Sequence, residues 1–150
     1  MGYRRSWKLA QNMIKVYGTN DPLVIADHLD IHVWNERLPL HIGGFFTRIF
    51  DSSYIVINSE KPRTWKRAIA AHELGHALLH DHEHIFLSTS NFVTQSKIEH
   101  EANLFAATLL IGDERPEQDE SIYDFARRMY VPIEFITSLP WDFFKQGGIT

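Results

Sequence analysis

The chain has 150 residues, 44% of them hydrophobic, which is enough for one compact domain with its own core and too few for two ordinary ones. With a net charge of −4 and Lys and Arg scattered along it, it carries no basic stripe of the kind that follows a phosphate backbone, so direct nucleic-acid binding is not expected. Cysteine is absent, which excludes disulfides, thiolate ligands and cysteine nucleophiles together and leaves His, Asp and Glu to build any metal site.

The opening "MGYRRSWKLAQNM" is positively charged but lacks an apolar core segment, and no apolar run approaches membrane-spanning length; a cytoplasmic protein without membrane attachment is expected. Trp7, Ala10, Met13 or Ile14 and Tyr17 recur at three-to-four spacing ahead of Gly18, which predicts an amphipathic helix. Asp21 as N-cap and Pro22 at the first helical position start a short helix that runs to Leu29, and a β-like run begins at Ile31. Residues 44–50 and 54–58 read as two strands joined by a tight "DSS" turn, a small antiparallel hairpin. From Pro62 to His80 the period is helical, with Gly75 the lone breaker. Another helix covers about 95–110, apolar at Phe105, Ala106, Leu109 and Leu110 and closed by Gly112. A helical pair at about 119–130 and 132–138 is punctuated by "VP" and "LP", and the tail at 145–150 should fray. The expected class is α+β, a single domain over residues 1–150 with a core at about 17–111 and helices packed on a short antiparallel hairpin or sheet.

Five of the nine histidines lie between Ile69 and His84, in "IAAHELGHALLHDHEH". His72 and His76 are four apart, so on a helix their rings stack one turn above each other and can converge on one ion. Glu73, rotated about 100° from His72, cannot readily join both rings as a ligand but can reach a water on the open side of the ion. The pattern therefore separates two ligands from one general base. Catalytic zinc usually takes three protein ligands and leaves one position open, so a third must be found. His82 would complete a metzincin-type spacing, but that motif needs glycine for a sharp helix exit where this chain has Leu79. The alternative is a glutamate of "KIEHEANLFAATLLI". Glu99, Ala102, Asn103 and Ala106 share one helix face, small enough at the alanines for two helices to come close, whereas Glu101 points about 200° away. Glu99 is the expected third ligand and Glu101 the runner-up. Asn103, one turn from Glu99, can orient a liganding imidazole. His80, His82, His84 and His100 read as helix-end and surface polar residues, and "GGFF" and "WDFF" as packing clusters.

These residues resemble the ImmA/IrrE metallopeptidases. The resemblance is carried by "YGTNDPLVIADHLDIHV", "YIVINSE", "RAIAAHELGHALLH" and "IEHEANLFAATLLI", which together span about residues 17–111. It implies a small zincin-like domain of the minimal gluzincin type, with one zinc ion on His72, His76 and, through the pattern E-x-x-A-N, Glu99, and with Glu73 as general base. It also implies a cytosolic endopeptidase, often of a phage or mobile element, that relieves transcription by cutting a helix-turn-helix repressor. Many members carry a helix-turn-helix region of their own, for which this chain offers no room. After "TLL" the chain departs from the family, with "IGDERPE" where "MP" is usual, a difference that touches the adjoining loop.

The expected chemistry is hydrolysis of a peptide bond by activated water, with an extended substrate paired to an exposed edge of the hairpin. The competing reading is a zinc-containing binding module that grips a repressor without cutting it. The same ligand set also accepts manganese, cobalt or nickel.

Overall fold

The computed structural model describes residues 2–80, 86–89 and 96–145. The first helix, α1, runs Gly2–Tyr17, longer at its start than the apolar spacing predicts, and turns Ser6, Ala10 and Met13 inward. Helix α2, Pro22–His28, starts as expected: the Asp21 carboxylate accepts a hydrogen bond from the Leu23 N–H at 2.9 Å.

Strands β1 (Ile31–Glu36), β2 (Ile42–Ile49), β3 (Ser52–Asn58) and β4 (Phe86–Thr89) form one sheet in the order β1-β3-β2-β4. The expected hairpin is β2 with β3, but it is the middle of a mixed sheet and not a free-standing pair. Strand β1 lies parallel to β3 on one side, and β4, which the sequence does not announce, pairs antiparallel to β2 on the other. Both edges of the hairpin are therefore taken, and the expected substrate position along it is closed. The turn also differs: Ile49 pairs with Ser52, so Phe50 and Asp51 make it, with Phe50 at φ 53° and almost wholly exposed. The apolar run at Ile55, Val56 and Ile57 is buried throughout, as a central strand requires.

Helix α3, Arg63–Leu79, crosses this sheet and is buried almost continuously from Ala68 to Leu79. It can lie close because Gly44 has no side chain. A Cβ there would come within 2.5 Å of the Val56 carbonyl oxygen and 2.7 Å of the Ile69 methyl group. Helix α4, Lys97–Ile111, packs on the other side of α3; it is capped by Ser96, whose hydroxyl accepts from the Glu99 N–H, and ends at Gly112 with φ 57°. A Cβ on Gly75 would meet the Ala102 Cα at 3.3 Å and the Phe105 ring at 3.0 Å, so the two backbones approach at that point. Helix α1 covers the far side of α4.

Helices α5 (Ile122–Met129) and α6 (Ile133–Ile136) are the expected pair, shortened at both ends. Ser121 caps α5, and Tyr130 ends it in the left-handed region. Helix α7, Trp141–Lys145, falls where packing of "WDFF" is expected, and Phe143 is buried beneath the Arg115 guanidinium. Residues 146–150 of the expected frayed tail lie outside the described residues. The buried cluster reaches from Ala10 to Phe143, beyond the 17–111 segment. Among the described residues no helix is long and apolar enough to cross a membrane.

Candidate metal centre

The contact of Gly75 with Ala102 sets the register of the site. Three residues back along α3 stands His72, and three residues back along α4 stands Glu99. His72 Nε2 lies 3.1 Å from Glu99 Oε2, and His76 Nε2 lies 2.9 Å from Glu99 Oε1. The two rings are one turn apart, with centroids at 4.7 Å and planes at 85°. His72, Glu73 and His76 are fully buried, while the Glu99 side chain is 25% exposed, so solvent reaches the cluster on the carboxylate side.

His72, His76 and Glu99 each offer one ligand atom, and these atoms lie within 4.8 Å of one another. Three N and O donors on a tetrahedral zinc ion sit about 3.4 Å apart at ordinary bond lengths. The histidine-to-glutamate contacts, made to the two different carboxylate oxygens, are close to that value and the whole set lies within 4.8 Å, so the donors fit a divalent ion of borderline softness once they draw together around it. Burial pushes the Glu99 carboxyl up, but hydrogen bonds from His72 and His76 and the charge of both rings outweigh it and hold the group well below the usual carboxylate range. Glu99 is thus held as an anion facing two imidazoles.

Glu101 lies elsewhere. It is buried on α4 with its Oε2 at 3.9 Å from His80 Nε2, and its carbonyl accepts from the Ser6 hydroxyl of α1. His80 is not the surface residue expected from its place at the helix end: it is only 4% exposed and its Nδ1 lies 3.1 Å from His76 Nδ1. Burial first, then neighbouring His76, pushes the His80 imidazole down against the opposing pull of Glu101. Asn103 is buried on α4, and His100 is exposed. His82 and His84 lie outside the described residues.

Two further contributions carry no local signal in the sequence. Phe135 of α6 stacks on His72 with centroids at 5.8 Å and planes at 24°, closing one wall with a C-terminal ring. The Arg5 guanidinium of α1 donates to the Leu79 carbonyl where α3 ends. Only the spacing of His80 four residues after His76 hints at the third histidine, since such positions share a helix stripe.

The family described as the IrrE N-terminal-like domain, peptidase M78, matches residues 26–137. The uncharacterized immunity region protein 2 of Bacillus phage phi105 is 36% identical over 104 residues, covering 69% of this chain and 66% of that protein. Metallopeptidase ImmA of Bacillus subtilis strain 168 is 30% identical over 104 residues, covering 69% of this chain and 61% of that protein. The matched segment therefore spans somewhat under two thirds of these relatives.

Proposed function

The chain belongs to the IrrE N-terminal-like domain family of peptidases, and from that premise we propose that it is a zinc-dependent endopeptidase that relieves repression by cutting a helix-turn-helix repressor of a phage or mobile element. The observation that carries the reading is the convergence of His72, His76 and Glu99 beside a buried Glu73. The repressor as substrate rests on the family resemblance and on a relative named for a phage immunity region.

In this reading His72, His76 and Glu99 hold the ion. A bound zinc ion supplies Lewis acidity, which lowers the pKa of water toward neutrality and polarises a peptide carbonyl. Glu73 takes the proton from the attacking water and delivers it to the leaving amine, so that one carboxylate serves as base and then as acid. The buried walls, including the Phe135 ring on His72, keep the imidazoles in place and exclude bulk water from them. An extended substrate pairs with the outer edge of β4, which lies beside α3 and, among the described residues, has no strand on that side.

The test is Glu73→Gln, assayed with a purified helix-turn-helix repressor of a phage or mobile element. The variant should keep its metal and its grip on the repressor while cleavage falls by about 100- to 10,000-fold. Full cleavage by the variant would remove Glu73 as the general base, and full relief of repression in cells without cleavage would leave the protein as a binding module that sequesters the repressor intact.

A further inference from the structure

We propose that His80 and Glu101 are positioning residues that select the tautomer of His76 and aim its Nε2 at the ion. The proposal rests on the reading of His72, His76 and Glu99 as metal ligands and extends it inward from them. Four groups lie in a row: Glu99 Oε1, then His76 Nε2 at 2.9 Å, His76 Nδ1 to His80 Nδ1 at 3.1 Å, and His80 Nε2 to Glu101 Oε2 at 3.9 Å.

The proton logic follows from the nitrogens. A ring nitrogen binds a metal only through its lone pair, so a liganding His76 Nε2 requires the proton on Nδ1. That proton points at His80 Nδ1, which must then accept, and a neutral His80 must carry its own proton on Nε2. The His80 Nε2 faces the Glu101 carboxylate, which favours an N–H there over a lone pair. The opposite tautomer of His80 would point a proton at His76 Nδ1 and leave His76 with its proton on Nε2, unable to ligate. Glu101 therefore biases the choice two rings away from itself.

Burial and anchoring support a dedicated role. His80 is 4% exposed and Glu101 6%, and a buried imidazole and carboxylate are costly unless they are used by their neighbours. The backbone beside His80 and that of Glu101 are anchored by consecutive residues of α1. Arg5 donates to the Leu79 carbonyl immediately before His80, at 3.3 Å, and Ser6 donates to the Glu101 carbonyl at 3.1 Å. The His80 N–H also donates to the His76 carbonyl at 2.8 Å, which ends α3 with the two rings facing each other.

The experiment is zinc affinity of the chelator-stripped chain, read by competition with a chromophoric chelator, for wild type, His80→Phe, His80→Asn and Glu101→Gln. Circular dichroism and thermal melting confirm that each is folded. His80→Phe keeps a ring but removes the acceptor and should weaken zinc binding by about 10- to 100-fold. His80→Asn places Oδ1 where Nδ1 stood, as an acceptor only, and should recover most of that loss. Glu101→Gln should weaken binding several-fold; if His80→Phe does not fold, this variant and His80→Asn decide. Wild-type affinity in a folded His80→Phe or in Glu101→Gln overturns the proposal, as does a His80→Asn no better than a folded His80→Phe. A wild-type chain that binds no zinc would instead remove the ligand assignment beneath it, an outcome distinguishable because it precedes any variant.

Discussion

Glu99 and Glu101 are two residues apart in the sequence and serve different surroundings. On α4 they point to opposite sides, so packing on α3 sets Glu99 against two imidazole Nε2 atoms and Glu101 against the third histidine. Glu99→Ala should therefore abolish stoichiometric zinc, measured by elemental mass spectrometry after gel filtration, because two imidazoles remain without a charged third donor. Glu101→Ala should retain zinc at saturating metal and differ from wild type only when the metal is limiting. Loss of metal from Glu101→Ala alone would reverse the assignment of the two glutamates. The same scale holds a residue with no catalytic part: Asn58, fully buried at the end of β3, donates to the carbonyls of Leu38, Pro39 and Ile42 and accepts from the N–H groups of Leu38 and Glu60. Asn58→Ala leaves these backbone groups to find new partners and should cost about 2–3 kcal/mol in urea unfolding.

Helix α3 is the element on which the site depends, and what places it is the absence of side chains at two positions. Gly44 admits it to the sheet and Gly75 admits α4 to it. Gly75 lies inside a regular helix, so its value is space and not backbone freedom. Gly75→Ala gains about 1 kcal/mol of helix propensity. Against this, the new methyl group meets the Ala102 backbone and the Phe105 ring, an overpacking that costs about 1–3 kcal/mol. The expected result is net destabilisation of about 1 kcal/mol with an unchanged denaturant slope. Because the same contact sets the spacing of Glu99 from His72, zinc affinity should fall with it. A Gly75→Ala protein of wild-type stability and affinity would show that the helices can part without loss.

Across the whole molecule the N-terminal and C-terminal helices close the site that the middle of the chain builds. Helix α1 supplies Arg5 and Ser6, and α6 supplies Phe135. The segment between α4 and α5 is tied down by Arg128, which reaches Glu120, Glu114 and the Arg115 carbonyl. The Arg128 guanidinium, with the Glu117 N–H, holds the Glu120 carboxyl below its usual range. A depressed folded-state pKa contributes stability above the unfolded-state value and loses it as pH falls through the folded one. Glu120→Gln should therefore melt slightly below wild type near neutral pH, and the two curves should converge in acid once Glu120 is protonated in both states. A difference that persists in acid would assign the effect to shape instead of charge.

Local grammar is legible along the chain: a helix from Pro62 to His80 with two histidines on one stripe, the Asp21 cap, the Gly112 stop, and a helix whose Glu99 face is lined with small residues. Each of these depends on neighbours within about one turn, and spacing along the chain reports that directly. Tertiary structure decided the rest. It made β1 a parallel partner of β3, gave the hairpin a second neighbour in β4, buried His80, and brought Phe135 over His72. Strand order and burial depend on which distant surfaces meet, and the period of a strand or helix names a face without naming what will cover it. The histidine at the end of a helix is polar and exposed by every local rule; it is buried here because α1 and α4 close over it, with the Glu101 carboxylate 3.9 Å from its Nε2.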